Sequence, residues 1–200
     1  MSFNETEVIS AYINASLEAI KKFFNANSDL VNQAARTAAE TIKKGGKILI
    51  FGNGGSAADA QHFACELVNR YLLSRKALPA IALSTDTSSL TAIGNDLGFE
   101  FVFARQIEAL GNPGDLAIGI STSGKSQNVT FALKTAKNLK LRTIGITGGN
   151  GGDMPSVCDL CMIVAHDITP VIQQVHGMII HLLSDLIERN ICSAPEAPCE

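Results

Sequence analysis

Three groups of residues in this sequence have the types and spacing that chemistry needs. The first is Gly52-Asn53-Gly54-Gly55-Ser56-Ala57, which follows the apolar run Lys47 to Phe51. A strand that turns through glycines into a helix presents free backbone N–H groups and a partial positive charge, and lets a ligand approach the backbone closely. The second is Ser121-Thr122-Ser123-Gly124-Lys125-Ser126, after the apolar run Asp115 to Ile120. Ser121, Thr122, Ser123 and Ser126 offer more hydroxyls than capping a helix requires. They suit a phosphate ester held by side-chain hydroxyls, backbone amides and the helix dipole. The third is His62, Glu66 and Arg70, which share one helix face, together with Gln173, His176 and His181 on the last helix. His62, Glu66, Gln173 and His181 carry the donors of a divalent-cation site: two imidazoles, a carboxylate and an amide oxygen.

Each group has a blander reading. Glu66 and Arg70 alone would be an exposed helix pair worth a few tenths of a kcal/mol. Polar residues on an apolar closing helix are often satisfied within a helix interface. Gln173 and His181 lie eight residues apart, which is about 12 Å of helix, whereas zinc bonds are about 2.0–2.2 Å. Either the two side chains lean hard toward each other or different subunits supply them, which favours a site near a subunit boundary.

Two nucleotide-binding patterns also occur by letter. Gly52 to Ala57 fits GxGxxA, but the acidic residue expected about 20 positions on is missing. The nearest candidate, Asp86, lies too far along and past the strand. Gly119 to Ser126 satisfies GxxxxGK[ST]. Gly119 sits inside an apolar run, the loop is rich in hydroxyls rather than glycines, and an earlier strand-turn-helix already looks built for a ligand. A monophosphate cradle explains the segment better than a P-loop.

The elements that position these groups alternate. Strands are expected at Lys47–Phe51, Ala80–Leu83, Asp115–Ile120, Arg142–Ile146 and Leu160–Ala165. Helices are expected at Ser56–Tyr71, Asp86–Asn95, Glu100–Leu110, Ser126–Asn138 and Thr169–Arg189. This order implies a three-layer α/β sandwich: a central parallel sheet of flavodoxin-like type flanked by helices. Val8, Ile9, Tyr12, Ile13, Leu17, Ile20 and Phe24 recur at helical spacing, and Asn25 to Ser28 reads as a turn. An N-terminal helical hairpin over about 1–43 is therefore expected. Residues 1–192 read as a single domain and 193–200 as a frayed, disordered tail.

Composition bounds the rest. The 200 residues carry a net charge of −3, with 46% hydrophobic and 18% charged residues, so a folded core is expected. Mild acidity gives no reason to expect nucleic acid or an anionic membrane as partner. The largely polar start lacks a signal peptide's basic and apolar regions, and no apolar run approaches a membrane span. Cys65, Cys158, Cys161, Cys192 and Cys199 are scattered, which fits a reducing cytoplasm. Cys158 and Cys161 form a lone CxxC with no second pair, so Cys161 reads as strand core rather than zinc ligand.

Taken together, GNGGSAADAQHF followed by Glu66 and Arg70, IGND at Ile93–Asp96, ISTSGKS, and IQQVHGMIIH near the end resemble the phosphoheptose isomerases of the sugar isomerase (SIS) domain family. The likeness runs to about Glu188. It implies conversion of sedoheptulose 7-phosphate to D-glycero-D-manno-heptose 7-phosphate through an enediol, toward lipopolysaccharide heptose, by a cytoplasmic, zinc-dependent homotetramer. It also implies that Asn53, Gly54, Gly55, Asn95 and Asp96 contact substrate, and that Ser121, Thr122, Ser123 and Ser126 hold its phosphate. By the same resemblance His62, Glu66, Gln173 and His181 bind Zn2+, Glu66 and Gln173 also touch substrate, and Glu66 and His181 are the expected base and acid. Pro170 and Val171 stand where the family often has Asp-Arg, and Gln174 where a glutamate is usual. A rival of another class is a similar non-enzymatic tetramer that binds the replication initiator protein. It lacks a glutamate at the position of Glu66.

Overall fold

The computed structural model describes residues 4–192; the tail expected at 193–200, with Cys199, lies outside them. Five strands form one parallel sheet: β1 (Ile48–Gly52), β2 (Ala80–Ala82), β3 (Leu116–Ser121), β4 (Arg142–Gly148) and β5 (Leu160–Val164). Their order is β2-β1-β3-β4-β5, the flavodoxin-like arrangement. The helices are α1 (Glu5–Lys43), α2 (Gly55–Val68), α3 (Thr87–Asp96), α4 (Ala104–Leu110), α5 (Gln127–Asn138), α6 (Met154–Val157) and α7 (Thr169–Cys192). A 3-10 turn, Phe99–Phe101, breaks the helix expected over Glu100–Leu110, and the short α6 was not legible in the sequence. No helix among the described residues is long and apolar enough to cross a membrane.

The side-chain alternation of the strands divides the core into two layers. Ile48, Ile50, Leu116, Ile118, Ile120, Ile144 and Ile146 face α1, α2 and α7. Leu49, Phe51 and Ala117 face α4, α5 and α6. Each fully buried Ile or Leu contributes about 1.5–3 kcal/mol relative to exposure. Gly119 occupies the second face, where a Cβ would meet Val129 Cγ1 at 2.9 Å and Leu133 Cδ1 at 3.0 Å. Its missing side chain lets α5 lie close on β3, so this glycine belongs to sheet packing and not to a nucleotide loop. Cys158 and Cys161 belong to the same layer. Their sulfurs both lie beside Gly145, and the thiol of Cys158 shares a hydrogen bond with Cys161 that draws the Cys161 pKa down.

The expected N-terminal hairpin is corrected. Residues Glu5–Lys43 form one helix of 39 residues, capped by Asn4, whose Oδ1 accepts from Thr6 N at 3.1 Å. At the expected turn, Asn27 Nδ2 donates to Phe23 O at 2.9 Å and Ser28 Oγ donates to Phe24 O at 2.5 Å. These polar side chains bond back to the i−4 carbonyls, so they ride within the helix instead of opening it. No glycine or proline interrupts the segment, and Gly45 (φ +83°) follows its end. The C-terminal half of α1 is buried against α7 and the sheet. The other half leaves Val8, Ile9, Tyr12, Ile13 and Leu17 exposed.

One buried carboxylate ties the start of the sheet together. Asp115 Oδ1 accepts from Lys47 N at 2.9 Å, and Oδ2 accepts from Asn112 N at 2.9 Å and from Lys47 Nζ at 2.6 Å. Burial alone would raise its pKa, but these donors hold it below the ordinary 3.8. The folded state therefore favours the ionised form. Its stabilisation is full above the unfolded-state pKa and is lost as pH falls through the lower folded value. Asp115→Asn is expected to lower stability at pH 7 by about 2 kcal/mol. Urea unfolding should show that difference shrinking below about pH 4.

Candidate functional site

In a sheet of this order, ligands bind outside the carboxyl ends of strands that send their connections in opposite directions. Here these strands are β1 and β3, which pair in parallel from Ile48↔Leu116 to Gly52↔Ile120. The two turns singled out by sequence follow these strands. The first turns at Gly54 (φ +54°, ψ −121°), with Ser56 N donating to Asn53 O at 2.9 Å. Gly52 passes so near β3 that a Cβ there would meet Ile120 O at 2.7 Å and Ser56 Cβ at 2.8 Å.

The second turn is organised by its hydroxyls. Ser121 Oγ and Ser126 Oγ are 2.9 Å apart. Ser126 is the N-cap of α5 but makes no side-chain cap bond, so its hydroxyl is directed into the loop rather than onto the helix. Ser123 Oγ accepts from Lys125 N at 3.2 Å, and Thr147 Oγ1 donates to Ser121 O at 2.7 Å. Thr122, Ser123 and Lys125 border a hollow of about 390 Å³ with Gly149, Asn150, His166 and Thr169. Ser126 borders a second, of about 310 Å³, with Asn53, Phe99 and Asn128.

Asn128 was not evident from the sequence. It is buried, and its amide exchanges two 2.8 Å hydrogen bonds with that of Asn53. This reciprocal pair locks the first turn to the helix that follows the second. Nothing in the linear pattern joins residues 75 positions apart.

The third group is on α2 and α7. His62 Nε2 lies 3.1 Å from Glu66 Oε1 and 3.3 Å from His181 Nε2. The two imidazoles meet edge to face with centroids 4.9 Å apart, and His181 stacks on Tyr71 at 5.7 Å. Gln173 lies beside Gly55, where an added Cβ would overlap its amide nitrogen. The helices thus run side by side, Gly55 beside Gln173 and His62 beside His181. Within this chain His62 contacts both Glu66 and His181, while Gln173 stands about two turns away from His181.

The imidazoles of His62 and His181 and the carboxylate of Glu66 are donor types that zinc takes. Both contacts fall on one atom of His62, however, and among the described residues no group of three or more His, Cys, Asp or Glu side chains is gathered as a metal site.

Other candidates take different places. His176 is fully buried, with Nε2 3.2 Å from Thr147 O, and burial pushes its pKa down to about 4. It is a neutral strut between α7 and the end of β4. Asp59, one turn before His62, has a buried carboxylate oxygen with no hydrogen-bond partner; burial raises its pKa, and the charge of His62 opposes that. Nothing in its spacing along the sequence marks it out. Asn95 and Asp96 bond to each other at 2.7 Å at the exposed end of α3. Asp96 borders a separate hollow with Leu97, Phe101 and Arg105, so this chain does not gather it with the hydroxyl loop. Asp86, the weak dinucleotide candidate, caps α3 through Ser89. Pro170 lies in the first turn of α7, Val171 is buried in the core, and Gln174 Nε2 donates to Tyr12 Oη at 3.3 Å. These departures pack as helix and core residues.

Comparison with known proteins agrees with this architecture. The SIS domain profile matches residues 11–148, which defines the class as a sugar isomerase domain. The chain is 52% identical to the phosphoheptose isomerase of Helicobacter pylori over 184 residues, covering 92% of this chain and 96% of that protein. It is 56% identical to phosphoheptose isomerase 1 of Campylobacter jejuni over 173 residues, covering 85% and 93%. The solved phosphoheptose isomerase of Neisseria gonorrhoeae superposes with a TM-score of 0.88 at 41% identity, covering 92% of this chain and 99% of that one. That of Francisella tularensis gives 0.90 at 37% identity, covering 94% and 100%. The chain belongs to the phosphoheptose isomerase family.

Two glycines of the second crevice wall separate backbone strain from steric fit. Gly149 (φ +63°) has open space where a Cβ would be, so Gly149→Ala is expected to cost only the left-handed penalty of about 1 kcal/mol. Gly124 (φ +65°) abuts the Gly151 carbonyl, so Gly124→Ala adds a backbone collision to the same penalty. Urea unfolding of the two variants should rank Gly124→Ala as the more damaging.

Proposed function

We propose that this chain isomerises sedoheptulose 7-phosphate to D-glycero-D-manno-heptose 7-phosphate. The observation that carries the reading is the contact of His62 with both Glu66 and His181, on the helix that springs from the first glycine turn. The relatives at about half identity carry the same activity in their names.

An aldose–ketose exchange moves a proton between C1 and C2 and needs a base, an acid and stabilisation of the enediolate oxygen. Ser121, Thr122, Ser123 and Ser126 bind the phosphate, aided by the N-terminus of α5. Asn53, Gly54 and Gly55 orient the sugar along the first turn, and Gln173 adds a contact at its edge. His62 engages only Oε1 of Glu66, which leaves the carboxylate able to take a proton. His181 returns a proton to oxygen. His62, Glu66, Gln173 and His181 are the residues that would hold Zn2+, which when bound supplies Lewis-acid polarisation.

The position of Gln173, two turns from His181 in one chain, supports completion of the site at a subunit boundary. The exposed apolar stripe of Val8, Ile9, Tyr12, Ile13 and Leu17 supports assembly, for which a homotetramer is our reading. A cytoplasmic enzyme at the first step toward lipopolysaccharide heptose follows from the same substrate. The presence of Glu66 and His181 together, both against His62, disfavours the non-enzymatic adaptor reading.

Purified protein should interconvert the two heptose phosphates, measured by chromatography. Chelation should abolish turnover and added zinc restore it. Glu66→Gln should lower kcat by about 100-fold to 10,000-fold. Inert wild-type protein, loaded with zinc, would sink the reading.

A further inference from the structure

The segment between α2 and β2, residues 69–79, has neither helix nor strand to order it. It is held by Glu188, near the end of α7, whose side chain is fully buried. Glu188 Oε1 accepts from Tyr71 N at 2.7 Å, and Oε2 accepts from Leu72 N and Leu73 N, each at 2.9 Å. Arg75 Nε lies 2.8 Å from Oε1, an ionic contact too bent to be a good hydrogen bond. Burial alone would raise the Glu188 pKa, yet the three N–H groups and Arg75 hold it below the ordinary value. A carboxylate so enclosed is stable only while all these donors stay in place.

Arg75 carries the restraint on to the other helix. Its guanidinium donates to Glu66 O and Leu67 O, each at 2.9 Å, and to Lys76 O at 3.0 Å. The free carbonyls at the end of α2 are thereby satisfied by a buried cation. One of them belongs to Glu66 itself. The restraint also reaches His181: the Tyr71 ring stacks on its imidazole with an interplanar angle of 21°. The same ion pair therefore touches the backbone of Glu66, the expected base, and the backbone of Tyr71, whose ring supports the expected acid.

We propose that Glu188 and Arg75 are positioning residues for the active site, and that they act on His181 through the ring of Tyr71. Neither touches substrate. Glu188 fixes the Tyr71 backbone, Tyr71 fixes the face of His181, and Arg75 fixes the last turn of α2 beneath Glu66. Loss of any one part leaves the ligating side chains present but misaligned. Partners of this kind affect rate by about 10–100-fold. The catalytic half of this inference rests on the isomerase reading above.

The test separates the two. Protein with 13C-labelled histidine reports the His181 ring proton by NMR, assigned with His181→Gln and independent of any activity. Tyr71→Leu should move that signal, and Tyr71→Phe should leave it near its wild-type position. Glu188→Gln should move it in the same direction as Tyr71→Leu, although the Tyr71 ring is still present. In the isomerase assay Tyr71→Leu should lower kcat about 10–100-fold with little change in KM, and Tyr71→Phe should restore it. Should Glu188→Gln not fold, Arg75→Lys replaces it in the same NMR comparison. An unmoved His181 signal in a folded clamp variant, or full kcat in Tyr71→Leu, overturns the proposal. A wild-type protein with no isomerase activity overturns the isomerase reading, while the NMR signal still decides whether the clamp positions His181.

Discussion

Helices α2 and α7 lie side by side, joined near both ends, and His62, Glu66 and His181 lie between the joints. At one end Gly55 has no side chain, so the amide of Gln173 fits against the helix start. At the other, Glu188 and Arg75 link the end of α7 to the last carbonyls of α2. His62 and His181 face each other across the span at 3.3 Å. A contact of that length between two polar side chains on different helices requires that neither helix slide by even part of a turn. The glycine sets how close the helices come, and the buried ion pair sets their register.

The glycine turn and the hydroxyl turn obey a separate constraint. Parallel strands β1 and β3 are neighbours, but their connections leave to opposite faces, which opens a crevice at their carboxyl ends. The crevice would be loose if its walls were independent loops. The Asn53–Asn128 amide pair prevents this by joining the first turn to the helix behind the second. The Thr147 hydroxyl on Ser121 O and the neutral His176 against Thr147 O then tie the hydroxyl loop to β4 and α7. A sugar phosphate bound across both turns would meet a surface already set in shape, which keeps the ordering cost of binding low.

The long α1 shows how tertiary context changes a local signal. Asn27 and Ser28 have the composition of a turn, yet both bond back to carbonyls one turn earlier, and the helix passes through them. A turn there would have brought two short helices over the sheet. One long helix instead places an apolar stripe at its free half, with Tyr12 Oη reaching Gln174 on α7. The replaced pair Pro170-Val171 is absorbed in the same region: proline suits a first helical turn, and Val171 fills core.

By itself the sequence determined the alternation of strands and helices, because each buried strand is a short apolar run and each crossover helix has its own periodicity. It also determined which residues could do chemistry, since a glycine turn, a hydroxyl loop and a histidine–glutamate helix face are local patterns. It misled at Asn25–Ser28 because turn-forming residues and helix back-bonding residues are the same types. Only the tertiary structure decided which donors meet. His62 contacts both Glu66 and His181 while Gln173 stands apart, because helix rise separates residues eight apart by about 12 Å. Asn128, Tyr71, Arg75 and Glu188 were invisible for the same reason: their partners are fixed by the packing of elements far apart in the chain, and no spacing along it records a contact made across the fold.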